Sequence, residues 1–313
     1  MEIFKVFLLS FALLSVFGLV NAEEAIGVAE TVALDENVTA QDLGVAEPNL
    51  LPDSPFYFFK NLSREIQNAL TFNAVKKVEL RARFANEKLI ELKLMVEKNK
   101  SSRVIEKATE NYRKEIEKTK EASEKIKETA EQNPQVGTFL DKFIQQQTLH
   151  ERILEKLETQ VSTTTLVKIQ EARAQHLERF GEGMTRLEAN KEKLQERLET
   201  NLEKVKGSEF KDFKNLEMLK ALEEKVPEQA KEAIRKVQEN SLKRLKENLE
   251  EMSSGTQEKF KEYIEKISGS KEGQLEILES LKFELRNNPA IKEKIIDSSG
   301  KIIETIREKA SGT

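Results

Sequence analysis

His150 and His176 are the only histidines in 313 residues that also lack cysteine and tryptophan. They are the one pair of side chains whose spacing could do chemistry. One helical pattern runs up to the β-branched and hydroxyl stretch Val161 to Thr165 and a second leaves it. A reversal near Thr163 would make these helices antiparallel neighbours, with each histidine thirteen residues from the turn. Facing imidazoles in a helix bundle can bind zinc or another divalent ion, or act as a pH switch, and Glu151 and Glu178 lie close in sequence. The metal-carboxylate bundle pattern, however, needs a glutamate three residues before each histidine, where this chain has Gln147 and Arg173. The plainer alternative is a pair of partly exposed histidines bordering an apolar seam.

No other chemistry is selected by spacing. The absence of cysteine removes disulfides, thiolate metal sites, cysteine nucleophiles and a lipid-modified amino terminus. Serines and threonines fall in caps and turns, and the 56 acidic residues are spread over faces opposite lysines, so no carboxylate pair stands out. The expectation is a protein that is not an enzyme and uses no cofactor. Lys and Arg alternate with Glu throughout instead of forming a basic stripe with stacking aromatics, which argues against nucleic acid.

The elements that would position such a pair begin after a short leader. Lys5, the apolar run Val6 to Val20 and the small-residue end Asn21-Ala22 follow the order of a secretory signal peptide, residues 1–22, with cleavage expected after Ala22. Fifteen helical residues would cover roughly 22 Å, short of the roughly 30 Å hydrocarbon core, so a removed signal fits better than a retained anchor. Residues 23–53 carry eight acidic side chains and no lysine or arginine. They show neither helical period nor strand alternation and read as a disordered acidic arm. With a formal net charge of −4 overall, and Glu2 offset by Lys5, the remainder from Ser54 is about +4.

From Ser54 the pattern becomes helical. Ser54 is expected to cap a helix opening at Pro55. Phe56, Phe59, Ile66 and Leu70 recur along it at helical spacing, with Tyr57 and Phe58 off the stripe. Phe56, Tyr57, Phe58 and Phe59 form the densest aromatic cluster of the chain. Phenylalanines so spaced usually plug a bundle end, and the alternative is an exposed knob that docks a partner. Val75, Val78, Ala82, Ala85, Leu89, Leu92 and Val96 make a narrow coiled-coil-like seam. Val136, Leu140, Phe143, Gln147, His150, Leu154, Leu157 and Val161 make another. Helices are expected near 55–70, 74–98, 102–131, 134–160, 166–206, 208–225, 227–252, 256–267, 271–287 and 289–310. The implied divisions are 54–131, a long antiparallel hairpin over 132–206, and a carboxy-terminal helical array over 207–313.

The run Pro52-Asp53-Ser54-Pro55-Phe56-Tyr57-Phe58-Phe59-Lys60, with Leu70-Thr71-Phe72, Lys76-Lys77, Glu79-Leu80-Arg81 and Ala85-Asn86-Glu87-Lys88-Leu89, resembles a bacterial domain of unknown function, family 5667. The resemblance covers about residues 51–131. It implies an exported, helical protein, and supplies no activity, substrate or catalytic residue.

The sequence thus predicts an all-α, elongated helical array that works as an interaction, spacer or scaffold component of the cell envelope or extracellular space. Its partner would be another protein, a second copy through the helical seams, or the cell wall. A carrier of metal or small ligand at His150 and His176 is the second reading. Membrane association is expected only through a retained leader, since no helix shows the broad apolar face with a lysine-rich edge that interfacial binding needs.

Overall fold

Asparagine side chains open three of the helices. In the computed structural model, which describes residues 37–207, 210–251, 253, 255, 256, 259, 260 and 276–281, Asn73, Asn133 and Asn190 accept the backbone N–H groups of Lys76, Gln135 and Lys193. Each bond satisfies an amide that the first turn leaves without a partner. Pro134 follows Asn133 in the first turn, where its missing N–H costs no hydrogen bond. The elements are α1 (Tyr57–Ala69), α2 (Ala74–Glu97), α3 (Ser102–Ser123), α4 (Pro134–Glu158), α5 (Thr163–Leu187), α6 (Lys191–Lys204), α7 (Lys211–Glu223) and α8 (Glu228–Glu251). Among the described residues there is no strand, so the fold is all-helical.

Four of these helices close on one another. α2 packs on α3, α3 on α5, α5 on α4, and α4 back on α2, which gives a four-helix bundle of two hairpins with α3 and α4 diagonally opposed. α6 packs against α4, α7 touches α4 and α5, and α8 lies against both α6 and α7. Two hydrophobic clusters result. One joins the opening turns of α2 to the ends of α3 and α5, the start of α4, and α6 to α8; the other fills the opposite half of the bundle. Both clusters cross the sequence division at 131/132, and the first also crosses the one at 206/207.

The α2 seam from Val75 to Val96 is buried throughout, and so is the α4 seam from Val136 to Leu157, while Val161 is partly buried. These narrow apolar stripes are therefore buried within the one chain. Gly181 serves this packing, because a Cβ there would stand 2.8 Å from a methyl of Val226.

Several boundaries differ from expectation. The single helix expected over 166–206 is broken, because Glu188 turns extended and is tied to Arg197 at 3.0 Å while Asn190 caps a new helix. The helix expected to reach residue 131 stops at Ser123, and the connector after it tucks Ile126 and Ala130 into the core. α1 begins at Tyr57, since Ser54 and Pro55 form a preceding turn whose Ser54 Oγ accepts from the Phe56 amide. The helices expected over 271–287 and 289–310 fall largely or wholly outside the described residues, as does the leader.

Residues 37–53 are a correction of a larger kind. They were expected to belong to a disordered arm, yet Val38, Ala40 and Leu43 are buried. A turn closes at Gly44, whose positive φ of 69° suits glycine. The Leu43 carbonyl accepts from Asn86 at 2.8 Å and from Gln146 at 3.0 Å, and Lys93 Nζ donates to the Val38 carbonyl at 2.7 Å. Three buried apolar side chains and three directed bonds supply what sparse hydrophobicity alone could not. Among the described residues the two clusters begin at Val38.

Leu154 is fully buried where the bundle helices meet. Leu154→Ala is expected to cost about 2–5 kcal/mol in urea unfolding. Val167→Ala, at a half-exposed position, should stay within about 0.5 kcal/mol.

Candidate functional site

The sequence-predicted histidines do meet. His150 on α4 and His176 on α5 have ring centroids 5.5 Å apart, and both are fully buried, not partly exposed. Around them all four bundle helices contribute polar side chains. His150 Nε2 lies 2.7 Å from Asn86 Oδ1 on α2, and its Nδ1 lies 3.1 Å from the Tyr112 hydroxyl on α3. The Asn86 amide nitrogen is already spent on the Leu43 carbonyl, so its oxygen faces His150 and Nε2–H donates to it. Nδ1 then accepts from Tyr112, which fixes one neutral tautomer.

Across the same interior, Glu151 on α4 is paired with Arg173 on α5, which also holds Glu158 at 3.1 Å. His176 Nε2 meets Gln147 Oε1 at 3.0 Å, while its Nδ1 stands 3.7 Å from Glu151 Oε2. Neither of those last two atoms has a hydrogen bond. Burial would push the Glu151 carboxyl up, but the guanidinium of Arg173, with His176, brings it below its ordinary value. Burial, and then the neighbouring His176, hold His150 well below the usual imidazole range.

Both nitrogens of His150 are thus committed to the protein. Glu178, named with Glu151 as a potential helper, lies on the surface beside Arg179. Among the described residues no group of three His, Cys, Asp or Glu side chains is placed to hold a metal. The arrangement can do something else: it links four helices and the amino-terminal segment through directional bonds.

The second feature lies on α1, and its orientation is the reverse of the expected one. Tyr57 and Arg64 face inward, and the stripe Phe59, Leu62, Ile66 and Leu70 faces solvent. Phe58 flanks it with its ring 4.0 Å from that of Phe59, and Phe56 and Phe72 stand exposed before and after the helix. These seven side chains are 52–89% exposed, whereas Tyr57 is 5% exposed. The aromatic cluster therefore divides: Tyr57 is a core residue, and Phe56, Phe58 and Phe59 are not. α1 carries the broad apolar face that the sequence reading found on no helix.

A polar stripe on α2 inverts it. Lys88 and Glu91 are buried beneath α1, with Arg81 about two turns before Lys88. The Tyr57 hydroxyl donates to Glu91, and Lys88 donates both to that hydroxyl and to Asn61 Oδ1, the latter at 2.9 Å. Arg64 pairs with Glu87 and with Glu91 at 3.0 Å, and Lys60 reaches Glu91 at 2.8 Å. Arg81 holds Glu115 of α3 at 2.9 Å and Glu65 of α1 at 3.1 Å. Burial, with Arg64 and Lys60 nearby, pushes the Lys88 ammonium down to about 8, although Glu91 opposes this. Burial would raise Glu91, but Lys88, Arg64 and Lys60 together keep it below its ordinary value.

Sequence reasoning missed this pedestal because it followed apolar periodicity alone. Tyr57, Asn61, Arg64 and Asn68 recur at steps of four, three and four, and Arg81, Lys88 and Glu91 are seven and three apart. A scan for polar stripes at helical spacing would have found both.

Two measurements follow. Because the folded His150 sits below its unfolded value near 6.5, the unfolded chain binds more protons below that pH, and the stability contribution present above it is lost on acidification. The unfolding free energy from denaturant titration should fall between pH 7.5 and 5.5, by up to about 1.4 kcal/mol per pH unit, and His150→Gln should flatten that slope. Arg64→Met strips α1 of its central cation, and amide exchange over α1 should quicken by roughly tenfold or more while α4 keeps its protection.

No curated protein and no solved structure matches the chain. Residues 49–147, from before α1 to the middle of α4, match the family model described as a domain of unknown function (DUF5667), so the match takes in the whole of α1 and its α2 pedestal.

Proposed function

We propose that this chain is an exported, non-enzymatic interaction protein of the cell envelope or extracellular space, and that it docks through the outer face of α1. The observation that carries the reading is the mounting of that face: exposed phenylalanine, leucine and isoleucine side chains on a helix held by buried ion pairs. Seven such side chains present roughly 800 Å² of apolar surface, taking about 200 Å² for each large side chain. That exceeds the largest patch of an ordinary monomer and equals what one partner contributes to a standard interface.

The acids support a non-enzymatic reading. Glu91, Glu115, Glu151, Glu188, Asp212 and Glu217 are buried, and each is paired with a lysine or arginine. Carboxylates so committed tie helices together and are poor proton shuttles. Export rests on the leader of residues 1–22. Among the described residues no helix is long and apolar enough to cross a membrane.

A photoreactive phenylalanine analogue at position 59, in cells making the chain, should give a covalent adduct to a macromolecule or lipid. The same analogue at Val167, exposed and apolar but isolated on α5, should give none. Equal labelling at both positions, or none at 59, would remove the docking reading. Recovery outside the cytoplasm of a chain starting at Glu23 checks the export half separately.

A further inference from the structure

The docking reading leaves the occupant of the α1 face open, and the charges beside it narrow the choice. At the carboxy-terminal end of α1 a cleft of about 460 Å³ runs between the start of α2, the Leu43-Gly44 turn and α4. Thr71, Lys76, Arg83 and Lys142 line it, with Glu79 as its one acid and Phe139 and Phe143 beneath. Arg83 is hydrogen-bonded to Gln67 of α1 at 3.1 Å, so the cleft and the helix share a rim. Lys76, Arg83 and Lys142 are exposed, and none has an ion-pair partner among the described residues. Three cations without an ion-pair partner among the described residues thus border the exposed apolar stripe. Glu65, the only acid of α1, is already held by Arg81 and Lys118 and offers the rim no free negative charge.

We propose that this face seats on an anionic lipid bilayer, with Phe58, Phe59, Leu62, Ile66 and Phe72 entering the headgroup–acyl boundary and Lys76, Arg83 and Lys142 meeting lipid phosphates. The inference rests on the docking reading and names its occupant. An amphipathic helix with a phenylalanine and leucine face bordered by cations has the pattern that lies in a membrane interface. A second copy fits less well, because a two-fold pairing through α1 places the same three cations on both sides. Phe72 at the α1–α2 turn, at 89% the most exposed large apolar side chain among the described residues, stands where a tip inserts first.

The test uses the chain Glu23–Thr313 and flotation with vesicles of phosphatidylglycerol or of phosphatidylcholine. Binding to the anionic vesicles is expected, weakening with salt and roughly fivefold for each of K76A and K142A. The triple variant F59S/L62S/I66S should lose roughly a hundredfold. Its thermal midpoint should not fall, because those side chains are exposed, and an unchanged melt separates lost docking from lost folding. Equal binding to both vesicle types, no binding, or binding untouched by the triple variant overturns the lipid assignment. If vesicles fail but the position-59 adduct forms with a second copy, another protein or a different segment of this chain, the lipid inference falls and the docking reading stands. If neither vesicle binding nor adduct occurs, both fall.

Discussion

Everything in the described fold is registered by the polar network at the centre of the bundle. Apolar stripes of leucine and alanine can slide past one another by a turn at little cost, and such packing alone specifies a bundle poorly. Here Asn86, Tyr112, His150 and His176, with Gln147, Glu151 and Arg173, place at least one buried polar group on each of α2 to α5. A slip of one helix would strand several of them without partners at 1–3 kcal/mol each, or more for the charged pair. The network also reaches outward through Asn86 to the Leu43 carbonyl, which makes the amino-terminal segment part of the same arrangement. Fixing the α2–α4 register in turn fixes the α2 surface on which α1 is mounted.

The molecule thus uses two kinds of adhesion. Inside the bundle, apolar area provides most of the favourable free energy and the polar network supplies direction. Between α1 and α2 the balance is reversed. The contact is narrow, its inward residues are tyrosine, asparagine and arginine, and the apolar side chains are left outside. Phe84 bridges the two regimes, because the guanidinium groups of Arg64 and Arg81 lie within 6 Å of its ring on the α1 side while its side chain is otherwise buried.

Much of this was legible in the residues. The seams of α2 and α4, the reversal after Val161 and the meeting of His150 with His176 all follow from period and punctuation, which are local properties. The inversion of α1 was not legible from its own stripe. Phe59, Leu62, Ile66 and Leu70 look the same whether they face a core or solvent, and what decides is the chemistry of the α2 positions opposite, brought close only by the fold. The packing of residues 37–53 escaped for a similar reason: a segment short of large apolar groups was ordered by acceptors on its backbone, and their donors, Asn86, Lys93 and Gln146, lie 43 to 103 residues away. The break at Glu188 likewise depends on an arginine nine residues on.

The pedestal has one more consequence, and it concerns angle. A helix seated on leucines can roll or shift and trade one methyl contact for another. α1 is seated by unlike pairs, Tyr57 to Glu91, Asn61 to Lys88 and Arg64 to Glu87, so the set of pairings engages together at one position along the axis. It behaves as a keyed shaft: it can be fully engaged or fully withdrawn, but it has no half-rotated seat. Whatever meets Phe59 and Leu62 therefore meets them at a single presentation angle set by α2, and loosening the key would remove that angle before it touched a single apolar side chain.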